Sequence, residues 1–217
     1  MNRITDTILD LLYPPRCCFC RKVIERQAHG ICRNCREKLP LLKKGERRRM
    51  LDGGFVCIYP LLYNEMVRES FLRFKFYGAV SYAEPYSAIL AECFKDDPFC
   101  CDIVTWVPIS RSKRKIRGYD QAELLAEGLS SLLGLDCRKI LYKNKETKTQ
   151  SLLKTGDERR RNIKGAYSLC DENTVKGKKI LIIDDIVTTG ATLSECCRVL
   201  KKAGAEMVTA AAFASAE

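Results

Sequence analysis

Asp184 and Asp185 stand side by side directly after the apolar run Leu181, Ile182 and Ile183, and the segment Thr188, Thr189, Gly190, Ala191, Thr192 follows with small side chains and three hydroxyls. The apolar run has the pattern of a strand covered on both faces. Beyond it, Leu193, Cys196, Cys197 and Leu200 recur at helical spacing. The chain is therefore expected to turn between Asp184 and Thr192, presenting closely spaced backbone N–H groups at a helix start, an arrangement that favours a phosphate. Two carboxylates would repel that phosphate, so they suit neutral hydroxyls such as those of a ribose. A sugar phosphate satisfies both halves. A Walker loop would need Gly-Lys-Ser/Thr where Gly190 is followed by Ala191, and the remaining alternative is an ordinary strand-to-helix turn with a solvated acidic pair.

A second constellation is built from sulfur. Cys17-x-x-Cys20 and Cys32-x-x-Cys35 lie within nineteen residues of a chain that has 13 cysteines. Two such knuckles complete a closed four-thiolate zinc site with no position open for catalysis, so the metal would hold a segment too small for its own core. A disulfide cluster is the alternative, and the N-terminal 15 residues show no continuous apolar stretch or small-residue cleavage site, which points to a reducing, cytoplasmic setting. Cys18 is a competitor to Cys17, although only Cys17 has the two-residue gap to Cys20. His29, the single histidine, is read as a surface loop residue, and one histidine argues against Ser-His or Cys-His catalysis. The scattered Cys57, Cys93, Cys100, Cys101, Cys137, Cys170, Cys196 and Cys197 read as small core residues.

The third constellation is cationic. Arg111, Lys113, Arg114, Lys115 and Arg117 place five positive charges in seven residues, and a polar stretch at residues 143–167 adds Lys143, Lys145, Lys148, Arg159, Arg160 and Arg161. Both follow expected strands, where ligands of open α/β sheets gather, and the second is long enough for a lid over a charged substrate.

The elements that must position these groups can be read from periodicity. Residues 1–13 suit a short amphipathic helix ended by Pro14 and Pro15, and a boundary is expected near residue 50, after a basic run and before Gly53-Gly54. Beyond it, residues 55–63 read as one or two strands and residues 65–78 as a helix with Met66, Val67, Ser70, Phe71 and Phe74 near one face. Residues 82–94 read as a helix, 102–108 as a strand, 117–134 as one helix closed by Gly134, 137–144 as a strand and 204–214 as a last strand. Strands alternating with helices predict a doubly wound α/β domain over 51–217, with a mostly parallel sheet, behind a zinc-binding module over 1–50. No apolar run approaches the ~20 residues of a membrane span, so no membrane insertion is expected. A net charge of +11 would draw the chain to phosphate backbones.

The run IIDDIVTTGATL resembles the phosphoribosyl pyrophosphate (PRPP) loop of type I phosphoribosyltransferases. By that resemblance Asp184 and Asp185 would hold the ribose 2′- and 3′-hydroxyls and residues 188–192 the 5′-phosphate. Relatives that salvage 6-oxopurines carry Asp at the fifth loop position, where this chain has Thr188, which disfavours that activity. More of the chain is similar to the ComF family of competence-associated proteins. The likeness runs through PPRCCFC and ICRNC, then Arg73-Phe74-Lys75-Phe76-Tyr77-Gly78, then VPIS followed by RGYDQAELLA, then residues 147–150 with Arg160 and Asn162, and ends on the loop. Asp120 stands where that family often has Asn, and Lys143 where Arg is common.

This resemblance implies a type I phosphoribosyltransferase fold behind a zinc ribbon, with PRPP carrying magnesium as ligand. Lys75, Arg114, Arg117, Lys143, Lys145 and Arg160 would face the pyrophosphate or form the lid. It also implies a role in DNA uptake, with single-stranded DNA and a competence helicase as partners; an active transferase of nitrogen metabolism with no DNA role is the alternative. Whether turnover is retained, and on which acceptor, is left open, because the expected hood at residues 51–64 has no distinctive base-reading side chains.

Overall fold

The computed structural model describes residues 13–95, 100–146 and 155–216. The helix expected at residues 1–13 and the stretch 147–150 lie essentially outside the described residues. So does the middle of the expected lid, including Lys148. The α-helices are α1 Arg33–Lys38, α2 Glu65–Phe76, α3 Ala83–Lys95, α4 Arg111–Arg117, α5 Gln121–Leu133, α6 Gly156–Ile163 and α7 Ala191–Lys202. The strands are β1 Arg48–Met50, β2 Val56–Ile58, β3 Leu61–Leu62, β4 Ile103–Trp106, β5 Asp136–Cys137, β6 Leu141–Lys143, β7 Tyr167–Leu169, β8 Lys179–Val187 and β9 Met207–Ser215.

One sheet runs β1-β2-β9-β8-β4-β5, with β3 also paired to β9. Every pairing in it is parallel except β1 with β2. The two central strands show why both sheet faces are covered. Leu181, Ile183, Ala211 and Phe213 enter a core shared with α2, α3 and α5, while Ile180, Ile182, Ala210 and Ala212 enter a second core with Leu193, Cys196, Cys197 and Leu200 of α7. Period-2 alternation along continuous apolar runs requires this, because each successive side chain meets a different helical layer.

Several expected elements differ in detail. Residues 117–134 do not form one helix: the basic run is itself the helix α4, ended by Gly118 at φ 81°, and α5 starts anew with Asp120 as its side-chain cap. The run 137–144 is split between β5 on the large sheet and β6, which pairs with β7 in a separate antiparallel ribbon. Thr155 and Glu158 form a capping box that starts α6 inside the expected lid. Cys57, Cys93, Cys196 and Cys197 are buried as expected of small core residues, whereas Cys100 and Cys170 are exposed. Among the described residues no helix is long and apolar enough to cross a membrane.

The zinc-binding segment does not stand apart. β1 at residues 48–50 already pairs with the large sheet, upstream of the boundary expected at 50. Cys17, Cys18, Phe19, Ile31 and Cys35 belong to the same core as Phe71, Tyr86 and Phe213. Ser70 Oγ donates to the Cys18 carbonyl, and Arg73 donates to the carbonyls of Cys18 at 3.1 Å and Phe19 at 2.6 Å. The first knuckle is thereby fastened to α2.

Candidate functional site

β8 outruns its neighbour. It pairs with β4 only as far as Ile183 opposite Trp106, whereas its pairing with β9 continues to Val187. Asp184 and Asp185 therefore lie within the strand rather than in the turn after it, at the level where β4 has given way to the segment Val107, Pro108, Ile109. A cleft of about 480 Å³ opens there. It is lined by Asp184 and Asp185 at its floor, by Thr188 and Thr192 at the start of α7, and by Lys75, Lys113, Arg117, Lys143 and Arg159 around its walls. Tyr63, Leu72, Phe76 and Ile186 add an apolar side.

The two carboxylates are chemically unlike. Lys75 Nζ lies 3.0 Å from Asp185 Oδ2. Burial opposes ionisation of Asp185, but this ammonium and the Ile186 N–H outweigh it and hold the carboxyl below its usual range. Burial, reinforced by the charge of Asp185, pushes Asp184 well above the ordinary carboxylate range. The cations pay for their position too, since burial and the neighbouring Arg117 and Lys75 lower Lys113, and burial together with Lys113 lowers Lys143. A cluster of mutually repelling cations beside one compensated acid has the electrostatics that suit an anion.

At the loop, Gly190 has φ 75° and as N-cap offers no side chain to α7, while Thr189 Oγ1 accepts from the Ala191 N–H at 3.5 Å. Arg49 donates to the Thr188 carbonyl, which ties the loop to β1. A Cβ on Gly190 would come within 2.6 Å of Leu51 Cδ2 and 3.3 Å of Arg49 Nη2. Gly190→Ala is accordingly expected to lower stability by about 1–2 kcal/mol, the cost of the left-handed conformation, and to weaken phosphate-ligand binding more than tenfold through displacement of the loop. Thermal unfolding and ligand titration of the variant check both.

The sequence-expected residues divide. Asp184, Asp185, Thr188, Thr192, Lys75, Arg117 and Lys143 line the cleft, with Thr189 and Gly190 in the loop between, whereas Ala191 is the first residue of α7 and lines a separate, smaller cavity. Arg114 turns away to Glu123 at 2.5 Å. Arg160 pairs with Asp52 and Asp157 at the same smaller cavity, of about 280 Å³, and Lys145 is exposed outside the cleft lining. Lys113 and Arg159, which the sequence places only among the basic runs, line the cleft together with Gln121, and none of the three is among the residues expected to face the pyrophosphate. Reading the basic run as a helix finds one of these positions, because Lys113 lies four residues before the expected Arg117 and so on the same face. Asp120 also borders the cleft, where its Oδ2 accepts from the Ile109 N–H at 2.9 Å and its Oδ1 from the Ala122 N–H at 3.1 Å, and its charge helps to push Asp184 up. Burial raises its carboxyl to about 6.

The ligand atoms of Cys17, Cys20, Cys32 and Cys35 lie within 4.8 Å of one another, with Cys20 and Cys32 sulfurs 3.7 Å apart. A tetrahedral ion with Zn–S bonds near 2.3 Å separates its sulfurs by about 3.8 Å, so the donor set fits structural zinc. Cys18 is outside the cluster, buried in the core with its thiol pushed up by burial. His29 is exposed.

A phosphoribosyl transferase domain matches residues 119–217 and a double zinc ribbon domain residues 8–46. With a mostly parallel sheet that delivers an acidic pair and a phosphate-sized loop to one cleft, the chain is a type I phosphoribosyltransferase-fold protein carrying a zinc ribbon. Its curated homologues include competence proteins F and ComFC and DNA utilization proteins. Competence protein ComFC of Bacillus subtilis is 29% identical over 188 residues, covering 82% of this chain and 69% of that one. Competence protein ComFC of Streptococcus pneumoniae is 28% identical over 197 residues, covering 88% and 84%. Competence protein F of Haemophilus influenzae is 38% identical over 104 residues, covering 47% of this chain and 45% of that protein, so the match spans about half of that relative.

Proposed function

We propose that the protein binds PRPP, with the magnesium ion that this substrate carries, and serves natural competence by handling incoming single-stranded DNA. The cleft carries the reading: one cavity joins a floor fit for hydroxyls, a helix start fit for a phosphate, and a cationic wall fit for a pyrophosphate. In this reading Asp184 and Asp185 accept from the ribose 2′- and 3′-hydroxyls. The loop at 188–192 takes the 5′-phosphate, and Lys75, Lys113, Arg117 and Lys143 face the diphosphate. Lys75 has two roles available, as the partner of Asp185 at 3.0 Å and as a diphosphate contact. If a nitrogen nucleophile enters from the apolar side, the C1–N bond forms as the C1–O bond to pyrophosphate breaks, and these cations take up the charge of the leaving group.

The DNA half of the proposal is supported by the relatives' names, which include competence protein and DNA utilization protein, and by the charge of +11. Phe76 and Tyr77 are exposed at the end of α2, with the Arg117 guanidinium 5.1 Å from the Phe76 ring centre. That arrangement suits stacking of unpaired bases. Only Phe74, of the aromatic residues in this run, is spent on the core. The cysteine-rich composition supports a reducing, cytoplasmic site of action, and the family resemblance supports a helicase partner.

The test is calorimetric titration with PRPP and magnesium at near-physiological salt, run at two pH values. Saturable binding at neutral pH is expected, with the affinity falling several-fold toward pH 9.5. The sign follows from the lowered lysines: Lys113 and Lys143 are charged below their depressed pKa values and lose that charge, and with it anion affinity, at a lower pH than ordinary lysines. No binding by folded, zinc-loaded protein would overturn the reading, and a pH-independent affinity would remove Lys113 and Lys143 from the site.

A further inference from the structure

We propose that single-stranded DNA and the diphosphate ligand share the Arg117 wall of the cleft, so that each displaces the other. The inference rests on both halves of the reading above and adds their coupling. Phe76 closes α2 and is 58% exposed, and it also lines the cleft. Tyr77 follows it at 78% exposed. The Arg117 guanidinium lies 5.1 Å from the Phe76 ring centre and lines the same cleft. One side chain therefore stands both at the aromatic platform and at the anion wall. Its surroundings are fastened. Tyr119, two residues on, donates its hydroxyl proton to the Phe74 carbonyl, the Phe74 and Tyr119 ring centres are 6.0 Å apart, and Arg117 Nη1 donates to Gln121 Oε1 at 2.9 Å.

An unpaired base stacks on an aromatic face or a guanidinium plane, and the phosphates on either side of it need cations within reach. A guanidinium has five N–H donors, of which Arg117 gives one to Gln121, and the fork that remains suits a phosphate. Lys113 lies one turn back on the same face of α4 and Lys75 is the residue before Phe76; both line the cleft. A strand stacked at Phe76 thus lays its nearest phosphate against the groups that face the diphosphate. It goes no deeper, because the floor carries the ionised Asp185. Two polyanions cannot occupy one set of cations, and linkage makes the exclusion mutual. The protein then lets go of DNA where the ligand is abundant, and of the ligand where DNA is abundant.

The test is fluorescence anisotropy of a labelled oligodeoxythymidine on full-length, zinc-loaded protein, at constant magnesium and ionic strength, as PRPP, inorganic pyrophosphate, ribose 5-phosphate or sulfate is added. Calorimetry of the same ligands without DNA supplies their own affinities. PRPP and pyrophosphate, each at about ten times its own dissociation constant, are expected to weaken oligonucleotide binding about tenfold, the arithmetic of competition. Ribose 5-phosphate, which needs only the floor and the loop, and sulfate, which reports charge screening, are expected to leave it unchanged. Arg117→Gln is expected to weaken both oligonucleotide and pyrophosphate at least about fivefold, whereas Lys115→Gln, the same loss of charge at an exposed position of α4 outside the cleft lining, changes each less than about twofold. Oligonucleotide affinity unmoved by saturating pyrophosphate overturns the inference and leaves the PRPP reading standing, as does equal displacement by sulfate or equal loss in the two variants. The displacement arms use wild-type protein, so they decide the matter even where a variant unfolds. Protein that loses the oligonucleotide to pyrophosphate, yet binds neither PRPP nor ribose 5-phosphate, overturns the sugar-phosphate reading while the shared wall stands. No binding of the oligonucleotide, or of any of the phosphate ligands, overturns the inference.

Discussion

Replacing Asp184 and Asp185 together by Asn is expected to lower affinity for PRPP with magnesium at least about 100-fold and to leave single-stranded DNA binding at wild-type strength or slightly above. The magnitude comes from a hydrogen bond between a hydroxyl and the ionised Asp185, about 1.5–3 kcal/mol, and a weaker one to the Asp184 carboxyl, about 0.5–1.5 kcal/mol. The sign is the stronger part of the prediction. The substitution removes negative charge from a cleft that holds Lys75, Lys113, Arg117 and Lys143, and it releases Lys75 from its 3.0 Å pairing with Asp185. If the cleft attracted PRPP by charge alone, the variant would bind it more tightly. Weaker binding therefore reports recognition of hydroxyls. Unfolding is not the explanation to expect for a loss, because Asp184 is a carboxyl that burial already disfavours as an anion, and a neutral amide of the same shape relieves that cost. Calorimetry with PRPP and fluorescence anisotropy with a labelled oligonucleotide read the two affinities, and unchanged or improved PRPP binding would remove the acidic pair from the site.

The second large effect is on stability. Stripping zinc with a chelator, or replacing Cys32 and Cys35 by Ser, is expected to lower the apparent Tm by at least about 10 °C and to take PRPP binding down with it. From spacing alone the zinc ribbon reads as a separable module, whose loss would weaken DNA binding and spare PRPP affinity as long as the α/β domain stays folded. The packing makes that condition hard to meet. Cys17, Cys18, Phe19 and Cys35 share a core with Phe71, Tyr86 and Phe213, with Phe19 and Tyr86 ring centres 5.9 Å apart. Structural zinc contributes about 10–16 kcal/mol in isolated zinc-finger peptides, as much as the whole stability of an ordinary domain, about 5–15 kcal/mol. Each kcal/mol lost shifts Tm by about 2–4 °C at this size, so even partial loss is visible. The path to the ligand is short: α2 is fastened to the first knuckle through Ser70 and Arg73 and carries Lys75 one turn further on. Scanning calorimetry with and without chelator, followed by PRPP titration below the new Tm, checks both parts. A metal-free protein with the wild-type Tm would show that the shared core holds without the ion.

Local patterns determined a good deal of this molecule. The four zinc-spaced cysteines, the buried strand before Asp184 and Asp185, the hydroxyl- and glycine-rich turn and the helix after it are all contiguous or nearly so, and contiguous residues are positioned by φ/ψ preferences and periodicity that a sequence displays directly. The alternation of strands and helices likewise implied a parallel sheet, since parallel neighbours need crossovers. Tertiary structure alone decided which cations share the cleft. Lys113 and Arg159 line it while Arg114 and Arg160, one residue along each helix, turn to Glu123 and to Asp52. A charge run shows that positive groups are present, but a single helical step rotates a side chain by about 100°, so the face that meets the cleft depends on how α4 and α6 dock. The same holds for Phe76, which the helical period leaves off the apolar face but whose neighbour there, the Arg117 guanidinium, it does not name. Such roles arise from burial and exposure, which are properties of long-range packing, and neighbours distant in the chain supply them.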